Sequence, residues 1–265
     1  MRIASKYSQE YLERLPTWLA KRMLAAWHSL PDRFVSPHES GTRFVFVCGC
    51  GHSGTTLTAA RLGNHSEVLL IGRETNAFFP ENGVLCGKRL VADWDYFAQA
   101  AGKSIVVEKT PKHVQCVRNI RRVVPSARLV LTVRNPLDNV ASLYRRFDNL
   151  KACVGRWIVD NQAVARLAGS EGVQLVRFED LTEHPSEVFR RILEFVELPW
   201  EADLLTARDS NYGRYEQDEN MTLRAAQVRR EITPRNGVWH EVLSSEQANW
   251  VKDKTASLAT SLGNP

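Results

Sequence analysis

The sequence predicts an α/β fold, with a mostly parallel central sheet flanked on both faces by helices. Three observations carry that reading. Short apolar, β-branched runs alternate with helical stretches along the chain. The first of these runs passes directly into a glycine loop and then a helix. Each run also ends in a polar cluster, and open parallel sheets bind ligands at those strand ends.

The elements follow in order. Residues 1–42 read as a helical lead-in, with a stripe of Trp18, Leu19, Met23, Leu24, Ala26 and Trp27 beside Lys21 and Arg22. Residues 43–58 read RFVFVCGCGHSGTTLT. Phe44 to Val47 suits a buried strand, Gly49, Gly51 and Gly54 punctuate a tight loop, and a helix runs from Thr55 to about Leu62. Asn64-His65-Ser66 makes a turn, and Val68 to Ile71 is a second strand ending in Gly72-Arg73-Glu74-Thr75-Asn76. Residues 77–89 read as a surface excursion and 90–101 as a helix. A third strand, Ser104 to Val107, leads to Glu108-Lys109-Thr110-Pro111-Lys112-His113, and a helix spans 112–124. The fourth strand, Arg128 to Val133, is followed by Arg134-Asn135-Pro136, with Pro136 suited to a first helical turn. A helix at 150–168, a strand at 173–177, a helix at 185–196 and a closing helix from Ser245 to about Leu262 complete the pattern. The chain of 265 residues is read as one domain.

Composition narrows the partners. The formal net charge is +5, from 35 basic and 30 acidic residues, which fits small anionic ligands. No dense Lys/Arg run with interleaved aromatics occurs, so no nucleic-acid partner is expected. Cys48, Cys50, Cys86, Cys116 and Cys153 are odd in number and scattered, unlike a disulfide framework or a zinc site. A reducing, cytoplasmic location follows as the expectation. No transmembrane segment or apolar signal core is expected. Oligomeric state is not legible.

Strand, glycine loop and helix form a phosphate cradle, since loop N–H groups and a helix N-terminus together present positive charge. Three readings compete for it. Gly49 and Gly54 have P-loop spacing, but Thr55 stands where the lysine that reaches the β/γ-phosphates belongs. Gly49, Gly51 and Gly54 also spell a dinucleotide fingerprint, with Glu74 twenty residues beyond Gly54, as in a Rossmann-type NAD(P)-dependent oxidoreductase. Third, His52-Ser53-Gly54-Thr55-Thr56 fits a loop for a 5′-phosphosulfate. A second anion site is indicated by Arg134 and Ser142, eight residues apart across a strand-to-helix turn, because an arginine fork and a hydroxyl can converge on one phosphate. Arg134 stands where a magnesium-dependent enzyme would more often hold an aspartate, which suggests an anion bound directly, without a metal.

At this point the sequence resembles the sulfotransferases that use 3′-phosphoadenosine 5′-phosphosulfate (PAPS), in their bacterial and Golgi-type forms. GCGHSGTTL resembles their 5′-phosphosulfate loop and RNPLDNVASLY, at 134–144, their 3′-phosphate motif. EKTPKH (108–113), VRFEDLTEHPSEVFRRILEFVELP (176–199) and NGVWHEVLS (236–244) are similar to other recurrent stretches of the family. The resemblance implies a three-layer, P-loop-like fold and metal-independent, in-line transfer of a sulfuryl group to an acceptor hydroxyl or amine, on a small molecule or carbohydrate. It implies that Gly51, His52, Ser53, Gly54, Thr55 and Thr56 cradle the 5′-phosphosulfate, and that Arg134 and Ser142 hold the 3′-phosphate. By the same likeness Arg229, Arg230 or Arg235 closes over that phosphate. His52 departs from the family, which usually carries Lys or Arg there; with Lys109 it would serve the leaving phosphate oxygen. Glu74, in a GRETN segment similar to that of tyrosylprotein sulfotransferases, is the first candidate for general base, and a salt bridge is its plainer reading. His113 is the second candidate, and Glu108 is expected to turn away from the site by strand alternation. A non-catalytic nucleotide-binding protein with this fold remains an alternative. Arg208, Tyr212 and Arg214 lie in a polar stretch suited to a sugar or an acidic acceptor.

Overall fold

A computed structural model describes residues 37–79, 83–206 and 231–263. Five strands form one sheet in the order β2-β3-β1-β4-β5, with every neighbouring pair parallel. They are β1 (Arg43–Gly49), β2 (Val68–Leu70), β3 (Ile105–Lys109), β4 (Arg128–Val133) and β5 (Val173–Arg177). The helices between them are α1 (Thr55–Leu62), α2 (Gly83–Ala100), α3 (Val117–Val123), α4 (Pro136–Phe147), α5 (Leu150–Leu167), α6 (Phe178–Glu183), α7 (Pro185–Phe195) and α8 (Ser245–Ser261).

Alternation along β1 divides its side chains between two cores. Phe44, Phe46 and Cys48 pack on one face with Trp94 of α2, Ile120 of α3 and Val164 of α5. Val45 and Val47 pack on the other with Ala59 and Leu62 of α1, Leu181 of α6 and Phe189 of α7. Helices thus cover both faces, giving the three layers expected. A third cluster joins α4, α5 and α8 around Trp157, which is fully buried.

Four differences from the sequence reading have physical causes. Residues 77–89 are not a surface excursion: Ala77 and Phe78 are buried, and α2 already begins at Gly83. The helix expected over 112–124 opens as a 3₁₀ segment, Pro111–Cys116, before α3. Lys109, read as lying beyond the third strand, is its last residue and pairs in register with Val47. The polar cluster expected at the end of the fifth strand, Phe178-Glu179-Asp180, opens a short helix, α6, with too few residues for a helical apolar period to show. The stripe at 18–27 and the candidates Arg208, Tyr212, Arg214, Arg229 and Arg230 lie outside the described residues.

The strand order places the site. The chain leaves β1 toward β2 and β3 on one side, then crosses to β4 and β5 on the other. The switch falls between β1 and β4, where open α/β sheets bind ligands. It also removes the dinucleotide reading. In the Rossmann order β2 lies beside β1, so the acidic residue after β2 reaches a ribose bound at the glycine loop. Here β3 intervenes, and β2 is the sheet edge.

Candidate active site

β1 ends at Gly49 beside Thr132 of β4. Gly49 takes φ +143°, and a Cβ there would lie 2.3 Å from the Thr132 carbonyl oxygen. Only glycine lets the two strands end side by side and the loop turn over β4. His52 follows with φ 69°, in the left-handed region, and Gly54 caps α1 without a side-chain hydrogen bond. The first turn of α1 faces the cleft. Thr55 and Thr56 begin it and line a cleft of ≈ 650 Å³ with Gly51, His52 and Gly54.

Ser53 is a correction. It is fully buried, and its hydroxyl bonds the Cys50 carbonyl (2.6 Å) and the Thr132 hydroxyl (2.6 Å). Its backbone N–H also donates to the Cys50 carbonyl, at 3.2 Å. Both groups are spent in closing the turn, and Ser53 does not line the cleft.

The β4–α4 turn supplies the opposite wall. Asn135 caps α4, accepting from the Asp138 N–H at 2.9 Å, and Pro136 occupies the first turn. Arg134 is directed back over the loop: one terminal nitrogen donates to the His52 carbonyl at 3.4 Å and the other to the Arg235 carbonyl at 2.9 Å. The guanidinium stacks on Phe178, 4.2 Å from the ring centroid. Arg134 is only 6% exposed, and its Nε has no hydrogen-bond partner. Burial pushes its guanidinium below its ordinary pKa, against the pull of Asp138 and Glu179 and with a further push from Arg235. A buried, under-satisfied cation aimed into a cleft suits an anionic ligand. Ser142, two turns into α4, meets His52 directly, Oγ to Nδ1 at 2.7 Å. The two motifs therefore share one cleft.

Glu74 lines that cleft and accepts from the Lys109 ammonium at 2.7 Å. Lys109 is 0% exposed and Glu74 27%, so the lysine backs the carboxylate from inside the sheet. Glu108 does face away. It bonds the Thr110 and Thr75 hydroxyls (2.6 and 2.8 Å) and His113 Nδ1 (3.0 Å), fully buried. His113 is equally buried among Glu108, Phe78 and Phe79 and does not line the cleft. It braces the Glu74 segment through Glu108 and Thr75.

Several positioning groups escaped the sequence reading. Asn139 donates to the Gly51 carbonyl at 2.8 Å. Asp138 accepts from the Gly237 and Trp239 N–H groups at 2.9 and 3.0 Å, which fastens the late segment over the cleft. Glu179 accepts from the Asn135 N–H at 2.9 Å. The Asn-Pro-x-Asp start of α4 was the only available signal for any of these. Cys48 and Cys50 are buried, and burial raises both thiols. Among the described residues no helix is long and apolar enough to cross a membrane, and no His/Cys/Asp/Glu group is arranged to hold a metal.

Fold and cleft together define a P-loop-like α/β protein with a cleft at the β1/β4 end of its sheet. A family profile described as "Sulfotransferase family" matches residues 88–202. Protein-tyrosine sulfotransferase A of Caenorhabditis elegans is 27% identical over 198 residues, covering 61% of this chain and 52% of that protein. The sulfotransferase domain of the Synechococcus PCC 7002 olefin synthase superposes with a TM-score of 0.56 at 16% identity, over 87% of this chain and 98% of that one. Mouse sulfotransferase SULT7A1, solved complexed with PAP, gives a TM-score of 0.51 at 12% identity over 86% and 87% of the two chains. Over these stretches the chain is similar to sulfotransferases. It spans 28–53% of the length of the curated relatives it matches.

Proposed function

We propose that this chain is a PAPS-dependent sulfotransferase, moving a sulfuryl group in line and without a metal to a hydroxyl or amine of a small-molecule or carbohydrate acceptor. The observation that carries the reading is the shared cleft: Arg134 lies 3.4 Å from the His52 carbonyl and Ser142 2.7 Å from the His52 ring. The PAP named with the mouse structure and the sulfotransferase named in Caenorhabditis elegans agree with it.

When bound, PAPS supplies an activated sulfuryl group whose bond to the 5′-phosphate oxygen breaks as the acceptor attacks. The Thr55 and Thr56 hydroxyls and the open N-terminus of α1 hold the 5′ end. Arg134 and Ser142 take the 3′-phosphate, through the guanidinium fork and a hydroxyl. His52, which lines the cleft, would stabilise the charge developing on the leaving phosphate oxygen by donating a hydrogen bond. Glu74 removes the acceptor's proton, and Lys109 fixes the carboxylate's orientation and balances its charge.

The test pairs binding with turnover. PAP should raise the melting temperature of the unaltered chain, and Arg134→Ala should abolish that shift. With PAPS and a panel of hydroxyl and amine acceptors, PAP release should be detectable by mass spectrometry. Glu74→Gln should keep the shift while turnover falls by roughly 10²–10⁴-fold. A chain that neither shifts with PAP nor releases it is not a sulfotransferase.

A further inference from the structure

We propose that Arg156 of α5 is a donor-binding residue, the permanently charged side chain that serves the 5′-phosphosulfate loop of this chain, where the loop itself carries His52. The inference rests on the sulfotransferase reading and adds to it a residue from outside both phosphate motifs.

Three observations point to it. First, the space a side chain would take at Gly51 is filled by Arg156: a Cβ built there would lie 2.7 Å from its Nη2 and 3.2 Å from its Cζ. The absence of a side chain at Gly51 is what admits a guanidinium against the loop backbone. Second, the guanidinium is anchored from behind. Its Nε faces Asp160 Oδ2 at 3.5 Å, one helical turn on, and the other Asp160 oxygen accepts from Gln115 Nε2 at 2.5 Å. Asp160 is fully buried, and burial raises its carboxyl. It opens on no solvent, so its place in the fold is to hold these partners. Third, the outer edge of Arg156 is 27% exposed and lines the same cleft as Gly51, His52 and Ser142.

The other arginines lining the cleft are Arg134, Arg145, Arg146 and Arg235. Arg145 pairs with Glu241 at 2.8 Å, and Arg134 is turned to the His52 and Arg235 carbonyls. The cleft carboxylate Glu74 is matched by Lys109. Arg156 is the arginine whose guanidinium fills the space beside Gly51, and a guanidinium offers phosphate oxygens a planar fork of donors.

Comparing two nucleotides tests the assignment on the full chain. Adenosine 3′,5′-bisphosphate carries both phosphates and 3′-AMP lacks the 5′ one. Arg156→Gln with Asp160→Asn, which leaves no buried carboxylate unpaired, should weaken the bisphosphate roughly 10- to 100-fold and 3′-AMP less than about twofold. Arg134→Gln should weaken both. Adding His52→Lys to the double variant should restore bisphosphate binding. Should the double variant fail to fold, Arg156→Lys gives the same comparison with a smaller loss confined to the bisphosphate. Equal losses for both nucleotides, or none for either, overturn the proposal while Arg134→Gln still upholds the parent reading. If the unaltered chain binds neither nucleotide, both fall.

Discussion

Replacing Asp138 by asparagine should detach the late segment from the cleft. The carboxylate is almost wholly buried and accepts three hydrogen bonds: Gly237 N–H at 2.9 Å, Trp239 N–H at 3.0 Å and the Asn135 side chain at 2.8 Å. Asparagine keeps the shape but turns one acceptor oxygen into a donor. The least damaging orientation loses the Trp239 bond and sets two N–H groups against each other. The alternative orientation loses the Gly237 and Asn135 bonds. A hydrogen bond to a charged group is worth about 1.5–3 kcal/mol, and a buried donor left unpaired adds its desolvation cost. The expected loss is therefore about 2–4 kcal/mol, or a melting temperature lower by roughly 5–15 °C for a chain of this size. Because the Arg235 carbonyl anchors one Arg134 nitrogen at 2.9 Å, PAP affinity should fall too. We expect roughly tenfold, about the worth of one such contact. Thermal melts with and without PAP read both effects. A variant melting within about 1 °C of the parent, with unchanged PAP affinity, would refute the claim that Asp138 holds this segment, since even one net hydrogen bond exceeds that shift.

Two further outcomes follow from the same geometry. Gly49→Ala places a Cβ 2.3 Å from the Thr132 carbonyl at φ +143°; it should cost at least about 2 kcal/mol and remove the PAP-induced shift, read by calorimetry. Glu108 gives an acid signature. Burial opposes its charge, but His113 and the Thr110 and Thr75 hydroxyls outweigh burial and hold its pKa below the ordinary value. Its stabilisation is thus complete above the unfolded glutamate pKa of about 4.3 and is lost as pH falls through the lower, folded value. Glu108→Gln should lower the melting temperature at neutral pH, by about 3–5 kcal/mol of stability, and flatten the acid decline. Melting curves that stay parallel from neutral to acid pH would show that Glu108 does not carry that decline.

Much of the architecture was legible because it is local. The run Phe44–Val47, the glycines behind it and the hydroxyls of Thr55 and Thr56 lie within one strand-loop-helix unit. The same holds for Arg134, Asn135 and Pro136 at the second turn. What could not be read depends on which strands become neighbours. The order β2-β3-β1-β4-β5 is not written in any local period, so the dinucleotide reading stayed open until β3 was found between β1 and β2. Ser53 looked like a ligand hydroxyl, and only the closeness of Thr132 shows it turned inward. Arg156 sits in an amphipathic helix where an arginine reads as a solvated face, and its approach to Gly51 is purely tertiary. Phe178 follows directly on the fifth strand, and only packing makes it the ring beneath Arg134.

The β2 edge separates what must stay still from what is able to vary. β2 has only three residues, yet Glu74 just beyond it does not depend on that strand for its place. Lys109 holds the carboxylate from β3, and Glu108 and Thr110 tie down Thr75 next to it. The Glu74 carboxylate is therefore held by β3 and by the turn after β2 rather than by β2 itself. The edge strand can thus change in length or sequence while that carboxylate keeps its place against Lys109.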